Sequence, residues 1–241
     1  MKDRDLTFTP ATALVSLYRA RKVSPLEVTE AVLARIDALN PMLNAYVTVA
    51  GESALQAARA ATAALKRRVA LPPLHGVPVS IKDLTETRGI RTTKGSRIYE
   101  HHVPDEDALI VRRLKGAGAI VVGKTNTPEF GAGGNTFNAV FGATRNPWNP
   151  ALTCGGSSGG AAVALATGMG PLAQGSDLGG SLRTPAAFCG VVGFRTTPGL
   201  VPVYPRELAW DSLSVSGPMA RTVADTALML SVIAGPDDRA P

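Results

Sequence analysis

Two serines stand in the same local context, each directly after a pair of glycines. They are Ser157 and Ser181, and 24 residues separate them. Because glycine has no Cβ, a Gly-Gly-Ser turn can take backbone angles closed to other residues and turn several N–H groups toward one point. Such N–H groups stabilise the oxyanion that forms when a hydroxyl attacks a carbonyl carbon. The pattern therefore predicts loops that can hold an oxyanion.

Residues 155–159 also match G-x-S-x-G, the nucleophile elbow of α/β-hydrolases. That fold places an acid and then a histidine after the serine, whereas the histidines here, His75, His101 and His102, all precede Ser157. An elbow would therefore need a further C-terminal part. A phosphate-binding loop is disfavoured as well, because neither glycine-rich loop continues into Gly-Lys-Ser/Thr.

A lysine can serve as the base where no histidine follows the serines, because burial disfavours its ammonium form. Lys82 is the candidate, since it ends the apolar run 77–81 and would emerge at the carboxyl end of a core strand. The competing interpretation is a solvent-facing charge that Asp83, beside it, keeps protonated. The residue types alone leave both interpretations open.

The composition is that of a globular protein with scattered charge: 241 residues, 45% hydrophobic, with a net charge of +6. The densest basic run is Lys66, Arg67 and Arg68, at the end of an Ala-rich stretch where cations favour a helix C-terminus. We therefore expect no nucleic-acid partner. Residues 1–22 combine acidic groups with an amphipathic pattern, unlike a secretory signal or a membrane span, so we expect a cytoplasmic protein without membrane association.

Cysteine usage gives no sign of a metal site or a disulfide framework. Cys154 and Cys189 are too few for a metal cluster, and we interpret both as reduced thiols. Cys189, next to Phe188, is typical of a small core residue.

Helical signals dominate residues 1–70 and then give way to alternating strands and helices. Ser24, Pro25 and Glu27 combine an N-cap, a proline at the first helical position and a capping-box glutamate, and Leu26, Val32, Ile36 and Leu39 then fall on one face. Residues 53–68 predict a second helix. From residue 76 the patterns predict strands at 77–81 and 119–122 and helices at 107–115 and 221–234, which favours an α/β fold. The ending after residue 234 is abrupt for an α/β sheet, and it is equally compatible with a natural stop one turn past a buried helix and with the absence of later strands.

Six segments resemble the amidase signature family and occur in the family's order: GVPVSIKD, KTNTPEFG, NPWNP, GGSSGG, GSDLGGSLRTPAAFCGVVGF and SVSGPMARTVAD. The resemblance covers nearly the whole chain, is densest over 76–199, and corresponds to the N-terminal half to two-thirds of a member. It implies an α/β amidase-signature fold, with a mixed central β-sheet covered by helices on both faces and incomplete at the C-terminus. It also implies one domain over 1–241, with an N-terminal helical layer at about 1–70 and a catalytic core at about 71–241.

The resemblance also implies the roles of the site residues. Ser181 would be the nucleophile, Ser157 the bridging serine and Lys82 the base, with a cis peptide before Ser157. The implied oxyanion hole consists of the N–H groups of Leu178, Gly179, Gly180 and Ser181. No metal and no organic cofactor is implied.

Several neighbouring residues have supporting or ambiguous roles. Asp177 and Arg183 flank the nucleophile, and we expect them to support its loop. Residues 130–134, chiefly Gly131, Ala132 and Gly133, would line the acyl pocket by resemblance, although tight packing explains small residues there equally well. For Ser158 we favour capping of a helix that begins near residue 159 over a chemical role.

Three positions depart from the common family pattern. Cys154 stands where proline is usual, Ala161 where serine is usual and Arg195 where lysine is usual. None of them removes an atom of the implied triad. One hypothesis is that Cys154 makes its loop more flexible or sensitive to oxidation.

The expected reaction is hydrolysis of a linear amide, a small-molecule substrate, to carboxylate and ammonia or amine through an acyl-enzyme. One alternative is the glutaminase-type component of a tRNA-dependent amidotransferase, its A subunit. Another is a catalytically silent binding or assembly domain. An incomplete core would expose strand edges and apolar surface, so we also expect a tendency to associate, for example as a homodimer.

Overall fold

The computed structural model of the chain describes residues 3–66, 70–206, 208 and 211–240. Helices and strands alternate along most of this range, with short 3₁₀ turns at Arg97–Tyr99 and Glu129–Gly131. The helices are α1 (Asp3–Phe8), α2 (Ala11–Arg19), α3 (Pro25–Leu43), α4 (Gly51–Ala64), α5 (Leu109–Gly116), α6 (Gly159–Ala166), α7 (Arg183–Cys189) and α8 (Val223–Ile233). The strands are β1 (Tyr46–Val49), β2 (Pro78–Lys82), β3 (Ile120–Thr125), β4 (Phe137–Asn138), β5 (Gly142–Ala143), β6 (Leu172–Asp177), β7 (Val192–Gly193) and β8 (Val215–Ala220).

Helix α3 begins as its sequence predicts. The Ser24 hydroxyl accepts a hydrogen bond from the Glu27 N–H at 3.2 Å, and the Glu27 carboxylate accepts one from the Ser24 N–H at 2.8 Å. This capping box pairs two N–H groups that a helix start otherwise leaves free. Val32 and Ile36 are buried on the inner face. Leu26 and Leu39, predicted on the same face, are partly buried against the core.

The second predicted helix, 53–68, corresponds to α4 and ends earlier than expected, at Ala64. The predicted C-terminal cations Arg67 and Arg68 lie outside the described residues. Lys66 is exposed. Helix α5 starts two residues later than predicted, and α8 occupies Val223–Ile233 within the predicted 221–234.

A mixed six-stranded sheet forms the centre, in the order β1-β3-β2-β6-β8-β7, and helices flank it. Strand β2 runs parallel to both β3 and β6, whereas β1, β8 and β7 run antiparallel to their neighbours. The fold class expected from the sequence is therefore confirmed. The first 70 residues are not purely helical, however, because β1 pairs with β3 at one edge of this sheet.

Helix α6 packs against the centre of the sheet and contacts β2, β3, β6 and β8. Its residues from Gly159 to Leu165 are all buried, as in a helix that is apolar on every side. A Cβ on Gly160 would lie 2.4 Å from the N atom of Asn126 and 2.5 Å from the O atom of Ala45. Only glycine allows this close approach of the helix to β3 and the residue before β1.

The two ends of the chain are joined by polar contacts. Helix α2 has no local side-chain cap, and its Thr12 N–H donates instead to the Asp225 carboxylate of α8 at 2.8 Å. A carboxylate at this position also interacts favourably with the positive end of the helix dipole. Arg221 adds a second link, because its guanidinium donates to the carbonyl oxygen of Thr7 at 3.2 Å.

In the part of the chain that the structure describes, no helix is both long and apolar enough to cross a membrane.

Candidate active site

Lys82 is the last residue of β2, and its side chain is fully buried. Since β2 and β6 are parallel neighbours, their carboxyl ends meet at the same side of the sheet. The Lys82 N–H also donates to the side-chain oxygen of Gln174 on β6, at 3.1 Å. The alternative interpretation of Lys82 as a solvent-facing charge is therefore wrong.

The Lys82 amine lies among three serine hydroxyls. Its Nζ is 2.7 Å from Ser157 Oγ, 2.9 Å from Ser158 Oγ and 3.0 Å from Ser176 Oγ. Ser157 and Ser158 precede α6, and Ser176 lies near the end of β6. The Gly156–Ser157 peptide is cis, as the resemblance implied. Three hydroxyls from two separate elements therefore surround one buried amine.

The Lys82 amine has no carboxylate partner within ion-pair distance in the described residues. Burial lowers the pKa of Lys82 to about 7, and the more distant charge of Asp177 opposes this only in part. Asp83 is the neighbour that could have kept Lys82 protonated. Its carboxylate instead accepts hydrogen bonds from the N–H and the hydroxyl of Thr93. A large fraction of Lys82 is thus the free amine near neutral pH.

Ser158 does not cap α6, which corrects the sequence-based preference. Its side chain makes no capping hydrogen bond; its hydroxyl contacts Lys82 and donates to the carbonyl oxygen of Ser176 at 3.2 Å. A serine before a helix usually bonds to an N–H of the first helical turn. Here the Ser158 side chain bonds instead to residues of β2 and β6.

Ser181 lies in the loop between β6 and α7 and is half-buried. Its carbonyl oxygen accepts from the Ser158 N–H at 3.2 Å, which joins the two Gly-Gly-Ser loops through their backbones. Among the described residues its hydroxyl has no hydrogen-bond partner. The structure thus brings Lys82 and Ser157 together and attaches the loop of Ser181 to the neighbouring residue Ser158.

One of the four N–H groups predicted for the oxyanion hole is already hydrogen-bonded within the protein. The N–H of Gly180 donates to Asp177 Oδ1 at 2.8 Å and is therefore already used. The N–H groups of Leu178, Gly179 and Ser181 have no partner within the described ranges. Leu178 and Gly179 are exposed and Ser181 is half-buried, so these three N–H groups remain as candidate donors, whereas the N–H of Gly180, predicted as a fourth, is bonded to Asp177.

Asp177 organises the loop that carries Ser181. Its buried carboxylate accepts from the N–H groups of Gly180 and Leu182, from Arg183 through two nitrogens at 3.0 Å each, and from Arg195 at 3.0 Å. Burial alone would raise the pKa of Asp177, but these donors, Arg183 first, hold it well below its usual range. The carboxylate is therefore charged at all ordinary pH values, and its bonds to the N–H groups of Gly180 and Leu182 hold the backbone on both sides of Ser181.

Two of the departures from the family pattern lie in this region. Arg195 bridges Asp177 and the carbonyl oxygen of Leu213, so it supports the same loop. Cys154 is fully buried, and burial raises its pKa to about 11, which keeps it a neutral thiol. Because the thiolate is the form that oxidants attack, burial as a neutral thiol disfavours oxidation of Cys154.

The three residues expected to bind substrate are not equivalent. Gly131, at φ +72°, lies beside the amine cluster: a Cβ there would be 3.6 Å from Ser157 Oγ and 2.7 Å from the side chain of Leu84. Ala132 and Gly133 are exposed, and Gly133 is nearest to Pro128. Gly131 alone of the three is thus placed next to a candidate catalytic side chain.

Sequence reasoning missed Ser176 and Lys124. Lys124 is fully buried at the end of β3 and donates to Thr87 Oγ1 and Thr92 Oγ1 at 2.9 Å each, and to the carbonyl oxygen of Thr85. It thereby anchors the loop that follows Lys82. Its only sequence signal is the same as for Lys82, a lysine that ends an apolar strand.

Solved structures with similar folds include enzymes that act on amides. A bacterial aryl acylamidase described as belonging to the amidase signature enzymes is 36% identical, with a TM-score of 0.92, and the match covers 96% of this chain and 49% of that one. The peptide amidase of Stenotrophomonas maltophilia is also 36% identical, with a TM-score of 0.87, over 95% and 48% of the two chains.

Curated relatives are similar over nearly the whole chain. The acylamidase of Rhodococcus erythropolis is 43% identical over 100% of this chain and 50% of its own length. The A subunit of the glutamyl-tRNA(Gln) amidotransferase of Carboxydothermus hydrogenoformans is 46% identical over 98% and 48%. The chain thus spans about half the length of the curated relatives it matches. The family model described as Amidase matches residues 27–241, and the chain belongs to the amidase signature family.

Proposed function

We propose that this chain carries the acyl-transfer centre of an amidase that hydrolyses linear carboxylic amides to a carboxylate and ammonia or an amine. The observation that carries the proposal is a buried lysine amine, without a carboxylate partner in the described residues, 2.7 Å from the Ser157 hydroxyl. In this proposal Ser181 is the nucleophile, Ser157 transfers protons and Lys82 is the base.

Acylation would begin with proton removal from Ser181. The free amine of Lys82 accepts the proton of Ser157, and Ser157 accepts the proton of Ser181 while the Ser181 oxygen attacks the amide carbon. Because apo sites often tighten only when substrate binds, an open Ser181 side chain is compatible with this relay.

Charge then develops on the carbonyl oxygen of the substrate. The N–H groups of Leu178, Gly179 and Ser181 are the donors available to it, and loss of one such donor costs about 2.7–4 kcal/mol of transition-state stabilisation. Asp177 holds the turn that presents them, by accepting from the N–H groups of Gly180 and Leu182 on either side of Ser181.

Breakdown of the tetrahedral intermediate requires a proton on nitrogen, because an amine anion is a poor leaving group. Ser157 would give this proton to the amide nitrogen and recover one from Lys82. The C–N bond breaks, the acyl group remains on Ser181, and water then cleaves the ester by the same relay in reverse. A relay that can protonate nitrogen suits amides as well as esters.

The substrate of the whole protein is part of the proposal, since the chain spans about half the length of its relatives. Those relatives include an acylamidase, a peptide amidase and the A subunit of a glutamyl-tRNA(Gln) amidotransferase. The last of them favours a second candidate, glutamine hydrolysis for a partner subunit.

The test is to incubate the 241-residue protein with an anilide, an aliphatic amide, a peptide C-terminal amide and glutamine, and to follow acyl-enzyme by intact-mass spectrometry. A fluorophosphonate probe, mapped by peptide mass spectrometry, should modify Ser181 in parallel. The control is Ser53→Ala, which removes an exposed serine hydroxyl on α4 and should change neither result.

Each outcome assigns the function. An acyl adduct from the anilide or the simple amides supports the amidase. An adduct from glutamine alone, or glutaminase activity only with partner subunits and tRNA, supports the amidotransferase component. If the folded protein reacts with neither the probe nor any amide, both candidates are contradicted and a silent domain is supported.

The pH dependence of acylation should follow the protonation of Lys82. Because the base must be the free amine and its pKa is about 7, the probe-labelling rate should rise about tenfold per pH unit below pH 7 and level off above it. Labelling rates between about pH 5.5 and 9 measure this. The variant Lys82→Arg, whose side chain stays charged, should be slow throughout; a wild-type rate independent of pH over this range would argue against Lys82 as base.

A further inference from the structure

Two hydroxyls of the lysine cluster have no part in the proton relay. Ser158 and Ser176 lie 2.9 Å and 3.0 Å from Lys82 Nζ, about as close as Ser157 at 2.7 Å. Neither would touch substrate in the relay. Their relation to the amine can be worked out by matching donors with acceptors.

The free amine of Lys82 has two N–H groups and one lone pair, whereas the ammonium ion has three N–H groups and no lone pair. A lone pair is useful to the relay only if it points at the proton of Ser157. Rotation about the Cε–Nζ bond would direct it equally well toward any of the three hydroxyls. The neighbouring groups must therefore select one orientation.

The backbone of Ser176 favours Ser158 as an acceptor toward the amine. The Ser158 proton is donated to the carbonyl oxygen of Ser176 at 3.2 Å, and the Ser158 oxygen already accepts from the Ser176 N–H at 3.3 Å. A hydroxyl has one donor and two acceptor positions, so the remaining position is open to an N–H from Lys82. One N–H of the amine is thereby assigned.

The second N–H is assigned by distance. The contact to Ser176 at 3.0 Å has the length usual for N–H···O bonds, whereas the contact to Ser157 at 2.7 Å has the shorter length of bonds donated by O–H. Within the described residues the Ser176 hydroxyl contacts no other polar group, so its oxygen is free to accept. Ser157 is then the donor, and the lone pair of the amine is the acceptor.

We infer that Ser158 and Ser176 are positioning residues that occupy both N–H groups of the free Lys82 amine, so that its lone pair is directed at the Ser157 proton. The inference rests on the proposed function for its effect on catalysis, whereas the hydrogen-bond directions rest on geometry alone. The same three oxygens also fit the ammonium ion, which donates to all of them. The cluster thus accommodates both states of the base without moving an oxygen atom.

The test is Ser176→Ala, compared with Ser216→Ala. Ser216 faces Ser176 across the β6–β8 pair, is also half-buried, and makes no contact with Lys82. Ser176→Ala removes one of three acceptors from the ammonium ion. Since hydrogen bonds from charged donors are the stronger ones, the Lys82 titration midpoint should move to lower pH. The acylation rate at about pH 8 should fall about 10- to 100-fold, a part of what a positioned base supplies.

Two measurements separate this inference from the proposed function. The titration of Lys82 is followed by NMR of the ¹³C-labelled lysine side chain, which needs no turnover. The reactivity of the nucleophile is followed with the fluorophosphonate probe, which forms a P–O bond to serine as fluoride leaves. Ser176→Thr, which keeps a hydroxyl, should restore both values. If the wild-type protein does not acylate but the midpoint still moves in Ser176→Ala, the proposed function fails and the assigned hydrogen bonds stand.

The inference is overturned if Ser176→Ala and Ser216→Ala show the same titration midpoint and the same acylation rate as the wild type. Should Ser176→Ala not fold, Ser176→Cys replaces it, because sulfur has a similar size and is a weak acceptor. An unchanged midpoint in a folded Ser176→Cys variant is equally contrary to the inference. Ser158→Ala is a poorer probe, because it also leaves the Ser176 N–H and carbonyl groups without their partner.

Discussion

Replacing Ser181 with alanine is expected to lower the acylation rate by about 10⁴- to 10⁶-fold, because no other hydroxyl could then receive the acyl group. Stability should change by less than about 0.5 kcal/mol, because the Ser181 hydroxyl has no hydrogen-bond partner in the described part of the chain. Rates of fluorophosphonate labelling, together with urea unfolding curves, measure the two effects.

The matched control for this prediction is Ser157→Ala. It keeps the nucleophile but breaks the contact with Lys82, so labelling should slow by about 10²- to 10⁴-fold and still map to Ser181. Undiminished labelling of the Ser181→Ala protein would show that another residue is the nucleophile, and the peptide map would identify it.

Replacing Asp177 with alanine should give the largest loss of stability, about 3–5 kcal/mol. The change leaves the N–H groups of Gly180 and Leu182 without an acceptor and removes the partner of Arg195, all in buried or partly buried positions. The bond to Arg183 contributes less, because that side chain is 55% exposed. Equilibrium unfolding in urea measures the loss, with the slope of the transition as a check on two-state behaviour.

Arg183→Ala is the control for Asp177→Ala and should cost much less stability, because the Arg183 side chain is largely exposed and water screens its bond to Asp177. The pH dependence provides a second check. Since the folded-state pKa of Asp177 is depressed, its contribution is complete above the unfolded value of about 3.9 and is lost as the pH falls below it. Asp177→Asn should therefore flatten the fall in stability below about pH 4. An Asp177→Ala protein within about 1 kcal/mol of wild type would show that the carboxylate network is dispensable.

The sequence predicted those helices and strands that are stabilised by residues close to one another in the chain. The start of α3 was readable because Ser24, Pro25 and Glu27 act within one turn of the helix. Strand β1 was not readable, because its four residues are stabilised by pairing with β3, more than 70 residues later in the chain. Pairing of this kind depends on tertiary contacts that no window of sequence contains.

In the candidate site, too, some features have local sequence signals and others depend on tertiary contacts. The Gly-Gly-Ser loops at Ser157 and Ser181 indicated oxyanion binding by themselves, but the proximity of Lys82 to a serine 75 residues away came only from the resemblance to a family. Burial decided between a base and a surface charge for Lys82, and burial is a property of the folded chain.

Ser158 and Ser176 show where local reasoning fails. A serine before a glycine-rich helix start is usually a cap, and a serine inside a strand carries no signal. In the structure both side chains contact an amine that another strand supplies. The proposed role of both side chains, orienting the Lys82 amine, depends on these contacts with the Lys82 nitrogen.

The bond from Thr12 to Asp225 has a consequence for the order of events on the ribosome. The two residues are 213 positions apart, so the first turn of α2 lacks its carboxylate partner until α8 has been synthesised. At about 5–20 residues per second this delay is about 10–40 s. The contact of Arg221 with Thr7 is subject to the same delay. During synthesis α2 therefore emerges well before α8 and completes its packing only after α8 has followed.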